Sequence, residues 1–285
     1  MVRSIAGKSG VIALALVAAL AVAVPAYATW TGTHRKAGVV AAGTSWSTGA
    51  RCAAGEHAVA GGIDAPVVTP VLDAGPTVFP QAMLMNGSQT GWSVTAANGG
   101  ATGGTLAARV YCDSHPQLRT VVRQRVAAPH NEITTAIAVC PAGKVVLGAG
   151  FSTPARSAGK QSPPVAIITG LRATPHTVKA TIAVGGPTTV LTAYAYCGAG
   201  PAPTETAASV NNLEGTQDNL KSATATCPPG KHFVFGGFHG EFVWPDTGAE
   251  VTPYSMSSPS IGKWTVNAYN PWSDPGSLTA YAYCR

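Results

Sequence analysis

Residues Cys227–Phe238 read Cys-Pro-Pro-Gly-Lys-His-Phe-Val-Phe-Gly-Gly-Phe, and the same pattern occurs twice more in the chain. Cys140–Phe151 reads Cys-Pro-Ala-Gly-Lys-Val-Val-Leu-Gly-Ala-Gly-Phe, and Cys52–Ile63 reads Cys-Ala-Ala-Gly-Glu-His-Ala-Val-Ala-Gly-Gly-Ile. A second cysteine follows each copy, at Cys112, Cys197 and Cys284. The first cysteines are spaced by 88 and 87 residues and the second by 85 and 87, so a period of about 85–88 residues predicts three structural repeats.

The segments between the paired cysteines also recur. Trp92–Asn98 matches Trp264–Asn270, and the central copy is interpreted as His176–Ile182, without the Trp and the Asn. The segment that ends at the second cysteine of each repeat begins with leucine, and we call it the closing segment. Its three copies are Leu106–Cys112, Leu191–Cys197 and Leu278–Cys284. The alternation of apolar and polar residues with period two is typical of half-buried β-strands. Short strands between Gly, Pro, Asn and Ser clusters predict an all-β fold.

The repeated motif combines a turn with a glycine pair. In Cys-Pro-x-Gly, proline fixes φ and glycine can adopt a positive φ, so a turn precedes the strand. The Gly residues after that strand predict a β-bulge or a close approach of another backbone.

Six cysteines permit fifteen pairings. Repetition favours one pairing within each repeat: Cys52–Cys112, Cys140–Cys197 and Cys227–Cys284. Each bridge would contribute about 4 kcal/mol in the chain-entropy description. The alternative pairing is Cys112–Cys140, Cys197–Cys227 and Cys52–Cys284, which would close the repeats into a ring. The fold predicted is therefore three tandem, disulfide-stapled, β-sandwich-like repeats, with one pseudo-threefold β-prism as the alternative.

The boundaries follow from the repeats and from the N-terminal segment. Arg3 and Lys8 precede the apolar run Val11–Val24, and Ala26-Tyr27-Ala28 has the small-x-small pattern of a signal-peptidase site. That run is shorter than the roughly 20 residues a membrane span needs. We expect a signal peptide at 1–28, repeats at 29–116, 117–200 and 201–285, and a secreted protein with no membrane span after cleavage.

The motifs resemble a module of secreted proteins from high-GC Gram-positive bacteria. The resemblance rests on Cys-Pro-x-Gly-Lys…Gly-Gly-Phe, Trp-x-Val-x-Ala-x-Asn and Thr-Ala-Tyr-Ala-x-Cys, and it covers all three repeats. The first copy departs from it, because Ala53 replaces Pro and Glu56 replaces Lys. The resemblance implies a secreted β-rich module and supplies no activity and no catalytic residue.

Charge separates the repeats. Residues 116–200 carry eight Lys and Arg against one Glu, a net charge of +7, whereas residues 29–115 carry 0 and residues 201–285 carry −3. A strongly basic repeat can attract polyanions. Arg119, Arg123 and Arg125 occupy alternating positions and would share one face of a strand. They are the predicted contacts to an anionic polymer, with ordinary surface charge as the alternative.

Two tryptophans, Trp244 and Trp272, have no counterpart in the other repeats. A residue that occurs in only one repeat is not required by the fold that the three repeats share. Exposed aromatic rings can bind sugars or proteins. Both are predicted as ligand-binding residues, with a more aromatic core as the alternative reading. Trp264, on the recurring strand, is predicted to be buried.

Catalytic motifs are absent from the sequence. It contains no His-Glu-x-x-His and no Gly-x-Ser-x-Gly motif, and no phosphate-binding Gly loop precedes a helix. Nothing predicts a metal, a nucleotide or another cofactor. We therefore predict a non-enzymatic, secreted binding or structural protein, whose partner is a cell-surface polymer, a polysaccharide or an extracellular protein. The alternatives are a glycosidase-like hydrolase that uses Glu241, Asp246 and Glu250, and an extracellular protease inhibitor.

Overall fold

A computed structural model of the chain describes residues 32–65, 78–114, 119–154, 166–213, 220–241, 251–258, 260–270 and 275–285. These residues form eighteen β-strands in three six-stranded sheets and contain no helix. The prediction of an all-β fold is confirmed. Within the described ranges, no membrane-spanning helix is found. The predicted signal peptide, 1–28, lies outside them.

Each repeat supplies six strands. Those of repeat 1 are β1 Gly32–Val40, β2 Ser45–Arg51, β3 His57–Asp64, β4 Val78–Met85, β5 Gly91–Asn98 and β6 Gly104–Asp113. Those of repeat 2 are β7 Thr120–Ala128, β8 Glu132–Val139, β9 Val145–Ser152, β10 Ala166–Ala173, β11 Thr177–Val184 and β12 Thr189–Gly198. Those of repeat 3 are β13 Thr204–Leu213, β14 Leu220–Thr226, β15 Phe233–Gly240, β16 Thr252–Ser257, β17 Lys263–Tyr269 and β18 Gly276–Cys284.

Every sheet is shared by two repeats, each of which contributes three strands. Sheet A joins repeats 1 and 3 in the order β1-β6-β3-β16-β17-β14. Sheet B joins repeats 1 and 2 in the order β2-β5-β4-β9-β12-β7, and sheet C joins repeats 3 and 2 in the order β13-β18-β15-β10-β11-β8. The three repeats therefore close into one pseudo-threefold arrangement, which is the prism predicted as the alternative.

The disulfides lie within the repeats, as predicted. Cys52–Cys112, Cys140–Cys197 and Cys227–Cys284 each join Cα atoms 5.7 Å apart. In repeat 1, Cys52 follows β2 of sheet B and Cys112 belongs to β6 of sheet A, so the bridge connects the two sheets to which the repeat contributes. The alternative pairing between repeats, which would have closed the ring through disulfides, does not occur. Strand pairing closes the ring instead.

The last glycine of each motif marks the place where two repeats meet. A Cβ atom on Gly62, Gly150 or Gly237 would lie 2.4, 2.6 or 2.3 Å from a backbone carbonyl oxygen of the neighbouring repeat. Those oxygens belong to Met256, Met83 and Leu171 respectively. The predicted close approach of another backbone is therefore present. The predicted bulge is also present in each copy, at Val59, Leu147 and Val234, before the glycine pair.

The residue after that glycine enters a core shared by all three repeats. Ile63, Phe151 and Phe238 are fully buried, and the rings of Phe151 and Phe238 meet edge-on with centroids 6.2 Å apart. Their partners across the junctions are Met256, Met83 and Leu171. Because a unit of about 85 residues has a small core of its own, sharing these side chains gives each repeat burial that it lacks alone.

The structure corrects the alignment of the central Trp-x-Val-x-Ala segment. Trp92 pairs with Ala50 and Trp264 with Ala225, two residues before the first cysteine of their repeats. The residue that pairs with the corresponding Ala138 is Val178, whereas His176 lies in the turn before β11. The β10–β11 turn is shorter than its counterparts, which moves the equivalence by two residues. Trp264 is buried, as predicted.

Candidate functional site

Several residues singled out in the sequence lie outside the described ranges. They are Trp244, Asp246, Glu250 and Trp272. Glu241 is described: it is half-buried, and its backbone amide donates a hydrogen bond to the Ser277 carbonyl oxygen, 2.9 Å away.

Arg119 is buried between repeats, so the prediction that it shares an exposed face with Arg123 and Arg125 is wrong. Its side chain donates a 2.6 Å hydrogen bond from Nη1 to the carbonyl oxygen of Val59 in repeat 1. Burial, and secondarily the nearby charge of Arg285, lowers the pKa of Arg119 to about 10. β7 begins at Thr120, so Arg119 precedes the strand and turns inward.

Arg123 and Arg125 are exposed on the outer face of β7, the edge strand of sheet B. The pairing of β7 with β12 places Arg123 opposite Tyr194 and Arg125 opposite Thr192. Directly opposed residues of an antiparallel pair have Cβ atoms about 4.5–5.5 Å apart on the same face. Each guanidinium therefore has a phenol or a hydroxyl as its neighbour.

The next strand, β9, extends this surface with a serine. Ser152 pairs with Thr192, and its Oγ lies 3.3 Å from the Tyr194 hydroxyl. We call the outer face of β7, β12 and β9 the basic face; its polar side chains include those of Arg123, Arg125, Thr192, Tyr194 and Ser152. At the start of β7, the Lys144 ammonium donates a hydrogen bond to the Thr120 hydroxyl. Thr120 pairs with the buried Cys197 and alternates with Arg123 and Arg125, so this cation does not belong to the basic face.

The strands that form the basic face supply no carboxylate to neutralise it. None of the six strands of sheet B contains Asp or Glu. In sheet A, by contrast, Arg35 and Arg109 lie 3.4 and 2.8 Å from a carboxylate oxygen of Asp64. In sheet C, Arg172 lies 2.8 Å from Glu205. Of these three outer faces, that of sheet B alone presents arginines on strands without acidic residues.

One group of described side chains has the composition of a metal site. His34, Glu56 and Cys112 place their potential ligand atoms within 4.8 Å of one another. The Cys112 sulfur is bonded to Cys52, so it cannot serve as a thiolate ligand. His34 Nε2 and Glu56 Oε2 lie 3.6 Å apart, which leaves a surface histidine–carboxylate pair.

Sequence reasoning identified Arg123 and Arg125 but did not connect them to Tyr194. The period-two alternation of Leu191–Cys197 indicates that Thr192, Tyr194 and Tyr196 share one face of the strand. The missing information was that β7 pairs with β12, from which it is separated in the sequence by the 60 residues 129–188. Pairing partners at that separation are not encoded in local periodicity.

No protein-family model matches this sequence, and no curated protein matches it. The predicted resemblance to a secreted module stays a prediction.

Proposed function

We propose that the protein is a secreted, non-enzymatic binding protein whose basic face holds an anionic polysaccharide of a cell surface. The observation that carries the proposal is the carboxylate-free sheet B, with Arg123 and Arg125 exposed beside Tyr194 and Thr192. Secretion is supported by the N-terminal sequence and is compatible with the three disulfides.

The chemistry of the basic face suits a charged sugar chain. Guanidinium groups donate paired hydrogen bonds to carboxylate, sulfate or phosphate groups. The Tyr194 ring adds a half-exposed aromatic surface against which a sugar ring can pack, and the hydroxyls of Thr192 and Ser152 can bond to sugar hydroxyls. The site follows three adjacent strands across an outer sheet face, which fits an extended polymer better than a small molecule enclosed by a pocket.

Glycoside hydrolysis on this face is not supported by its residues. Retaining and inverting glycosidases use two carboxylates about 5–9.5 Å apart. The strands that form the basic face contain none. The hydrolase alternative depends on Asp246 and Glu250, which the structure does not describe.

The test compares binding to dextran sulfate and to uncharged dextran. In the variant Arg123→Ser/Arg125→Ser we expect at least a tenfold loss of affinity for dextran sulfate and a flatter salt dependence, because exposed charge contacts are screened within about 10 Å at 0.1 M salt. The matched control is Arg35→Ser/Lys36→Ser, which removes the same charge from the equivalent edge strand of sheet A. Equal losses in the two variants, or no loss in the first, would refute the basic face as the binding site.

Tyr194→Ala separates sugar recognition from simple charge attraction. The variant should weaken binding to dextran sulfate but leave binding to inorganic polyphosphate unchanged, since polyphosphate offers no sugar ring. If both affinities fall in parallel, the tyrosine supports the fold of the site and not its selectivity for saccharides.

A further inference from the structure

The corner where β7 of sheet B meets β8 of sheet C exposes an unusual group of aliphatic side chains. Val121 of β7 and Ile133, Ile137 and Val139 of β8 are 42–55% exposed. Only two other large apolar side chains of the described residues, Val39 and Ile261, are comparably exposed. We call the four residues of β7 and β8 the apolar corner. Because a turn of three residues joins the two strands, Val121 near the start of β7 and Val139 at the end of β8 lie at the same end of the corner.

The pseudo-threefold arrangement shows that the scaffold does not need an aliphatic side chain at Val121, Ile137 or Val139, whereas Ile133 has the apolar Leu220 as its equivalent in repeat 3. The equivalents of Ile137 are Gly49 and Thr224, and those of Val139 are Arg51 and Thr226, as the pairing with β5, β11 and β17 shows. The equivalents of Val121 are Thr33 and Glu205. The other two corners therefore carry no aliphatic side chain at these three positions.

Cations lie on both sides of the apolar corner. Arg123 and Arg125 are exposed on β7, and the β8–β11 pairing places the exposed Lys179 opposite Ile137. The carboxylate that belongs to these strands is Glu132, at the first position of β8. The surface thus combines protruding aliphatic groups with flanking positive charge.

We propose that the apolar corner docks on an anionic phospholipid bilayer. A surface that binds the membrane interface needs aliphatic groups to enter the acyl boundary and Lys or Arg side chains to contact the headgroups. The corner provides both, and its positive charge complements anionic lipid. It is formed by two sheet edges that meet, so it projects outward and can enter a deformable lipid surface. This inference does not depend on polysaccharide binding by the basic face.

The test is co-sedimentation of the full-length mature protein with vesicles of phosphatidylglycerol and phosphatidylcholine. We expect binding to these vesicles and at least tenfold weaker binding to phosphatidylcholine alone. Ile137→Thr/Val139→Thr should reduce binding to the anionic vesicles at least tenfold. Repeat 3 carries threonine at both equivalent positions, so the variant is expected to fold. Ile261→Thr, which removes an exposed isoleucine elsewhere, is the control and should retain binding.

Failure of this proposal can be distinguished from failure of the polysaccharide proposal. The Ile137→Thr/Val139→Thr variant should still bind dextran sulfate, because its arginines are intact. Vesicle binding that survives the double substitution would overturn the bilayer proposal, and so would the absence of binding by the unaltered protein. Concentration-dependent dimerisation that the double substitution abolishes, without vesicle binding, would overturn it too and would assign the corner to a second copy of the chain.

Discussion

The Tyr196 hydroxyl in repeat 2 accepts a 2.8 Å hydrogen bond from the backbone amide of Met85 in repeat 1. The same bond occurs at the other two junctions. Tyr283 accepts from the amide of Ala173 at 2.7 Å, and Tyr111 accepts from the amide of Ser258 at 2.6 Å. Each tyrosine directly precedes the second cysteine of its repeat. The same position on β6, β12 and β18 therefore carries a tyrosine that hydrogen-bonds each repeat to its neighbour.

Replacing Tyr196 with phenylalanine should destabilise the whole chain. The change leaves the Met85 amide without its acceptor, and a buried unsatisfied donor costs about 1–3 kcal/mol. Urea unfolding followed by circular dichroism measures the effect. The control is Tyr194→Phe on the same strand, where the residue is half-buried and the change should stay within about 0.5 kcal/mol. Equal stability of the two variants would show that the junction bond contributes nothing.

Stability should fall at alkaline pH because the junction tyrosines resist ionisation in the folded state. Burial raises the pKa of Tyr111 from 10.0 to about 12, and it raises the pKa values of Tyr196 and Tyr283 further. The stabilisation is complete below pH 10 and is lost as the pH rises from 10 towards 12, since the unfolded chain releases protons first. Arg119 acts in the opposite sense, because its pKa is lowered, but three tyrosines oppose one arginine.

Urea unfolding at several pH values between 8 and 11.5 checks this dependence. In Tyr111→Phe the ionisable hydroxyl is gone, so the decline above pH 10 should be shallower than in the unaltered protein. A decline of the same slope in both proteins would contradict the assignment to Tyr111.

The sequence indicates well which side chains share one face of a strand, but it indicates poorly which strands lie next to each other. The glycine at position 150 correctly indicated a close backbone, yet nothing local indicates that this backbone is Met83 of another repeat. The His176 alignment failed for a related reason. A shift of two residues keeps every side chain on its own face, so period-two alternation fits His176 and Val178 equally well. Only the pairing of Val178 with Ala138 distinguishes them.

The candidate site was predictable in part for the same physical reason. Three arginines occupy odd-numbered positions, at 119, 123 and 125, and side chains two residues apart on a strand share a face. This alternation correctly placed Arg123 and Arg125 together on the outer face of β7. The alternation of side chains does not indicate where a strand begins. Because β7 starts at Thr120, Arg119 is free to turn towards Val59 and become buried.

Gly237→Ala should test whether the repeats meet as described. The new Cβ would lie 2.3 Å from the Leu171 carbonyl oxygen, so the junction between β15 and β10 must open. Overpacking of this kind typically costs about 1–3 kcal/mol. Gly87→Ala is the control, because its Cβ meets nothing within 4 Å. The unfolding midpoint in urea should fall for Gly237→Ala alone. An unchanged midpoint would mean that the two backbones are not in close contact.

The first residue of the glycine pair and the Trp position two strands later in the same repeat should be energetically coupled. A Cβ on Gly61 or Gly236 would lie 2.0 Å from the ring of Trp92 or Trp264. Repeat 2 has Ala149 at the equivalent position, and there Val178 replaces the tryptophan. A smaller side chain leaves room for the alanine methyl group, so the two positions change together within one chain.

A double-mutant cycle in repeat 3 tests this coupling. Gly236→Ala alone should be strongly destabilising, because the methyl group meets the rigid Trp264 ring, and Trp264→Val alone should cost about 3–5 kcal/mol for the lost aromatic volume. The double variant reproduces the pair found in repeat 2, so its destabilisation should be smaller than the sum of the two single changes by at least about 1 kcal/mol. Free energies of unfolding from urea titrations supply the four corners of the cycle. Additive effects would show that alanine and valine in repeat 2 do not compensate each other.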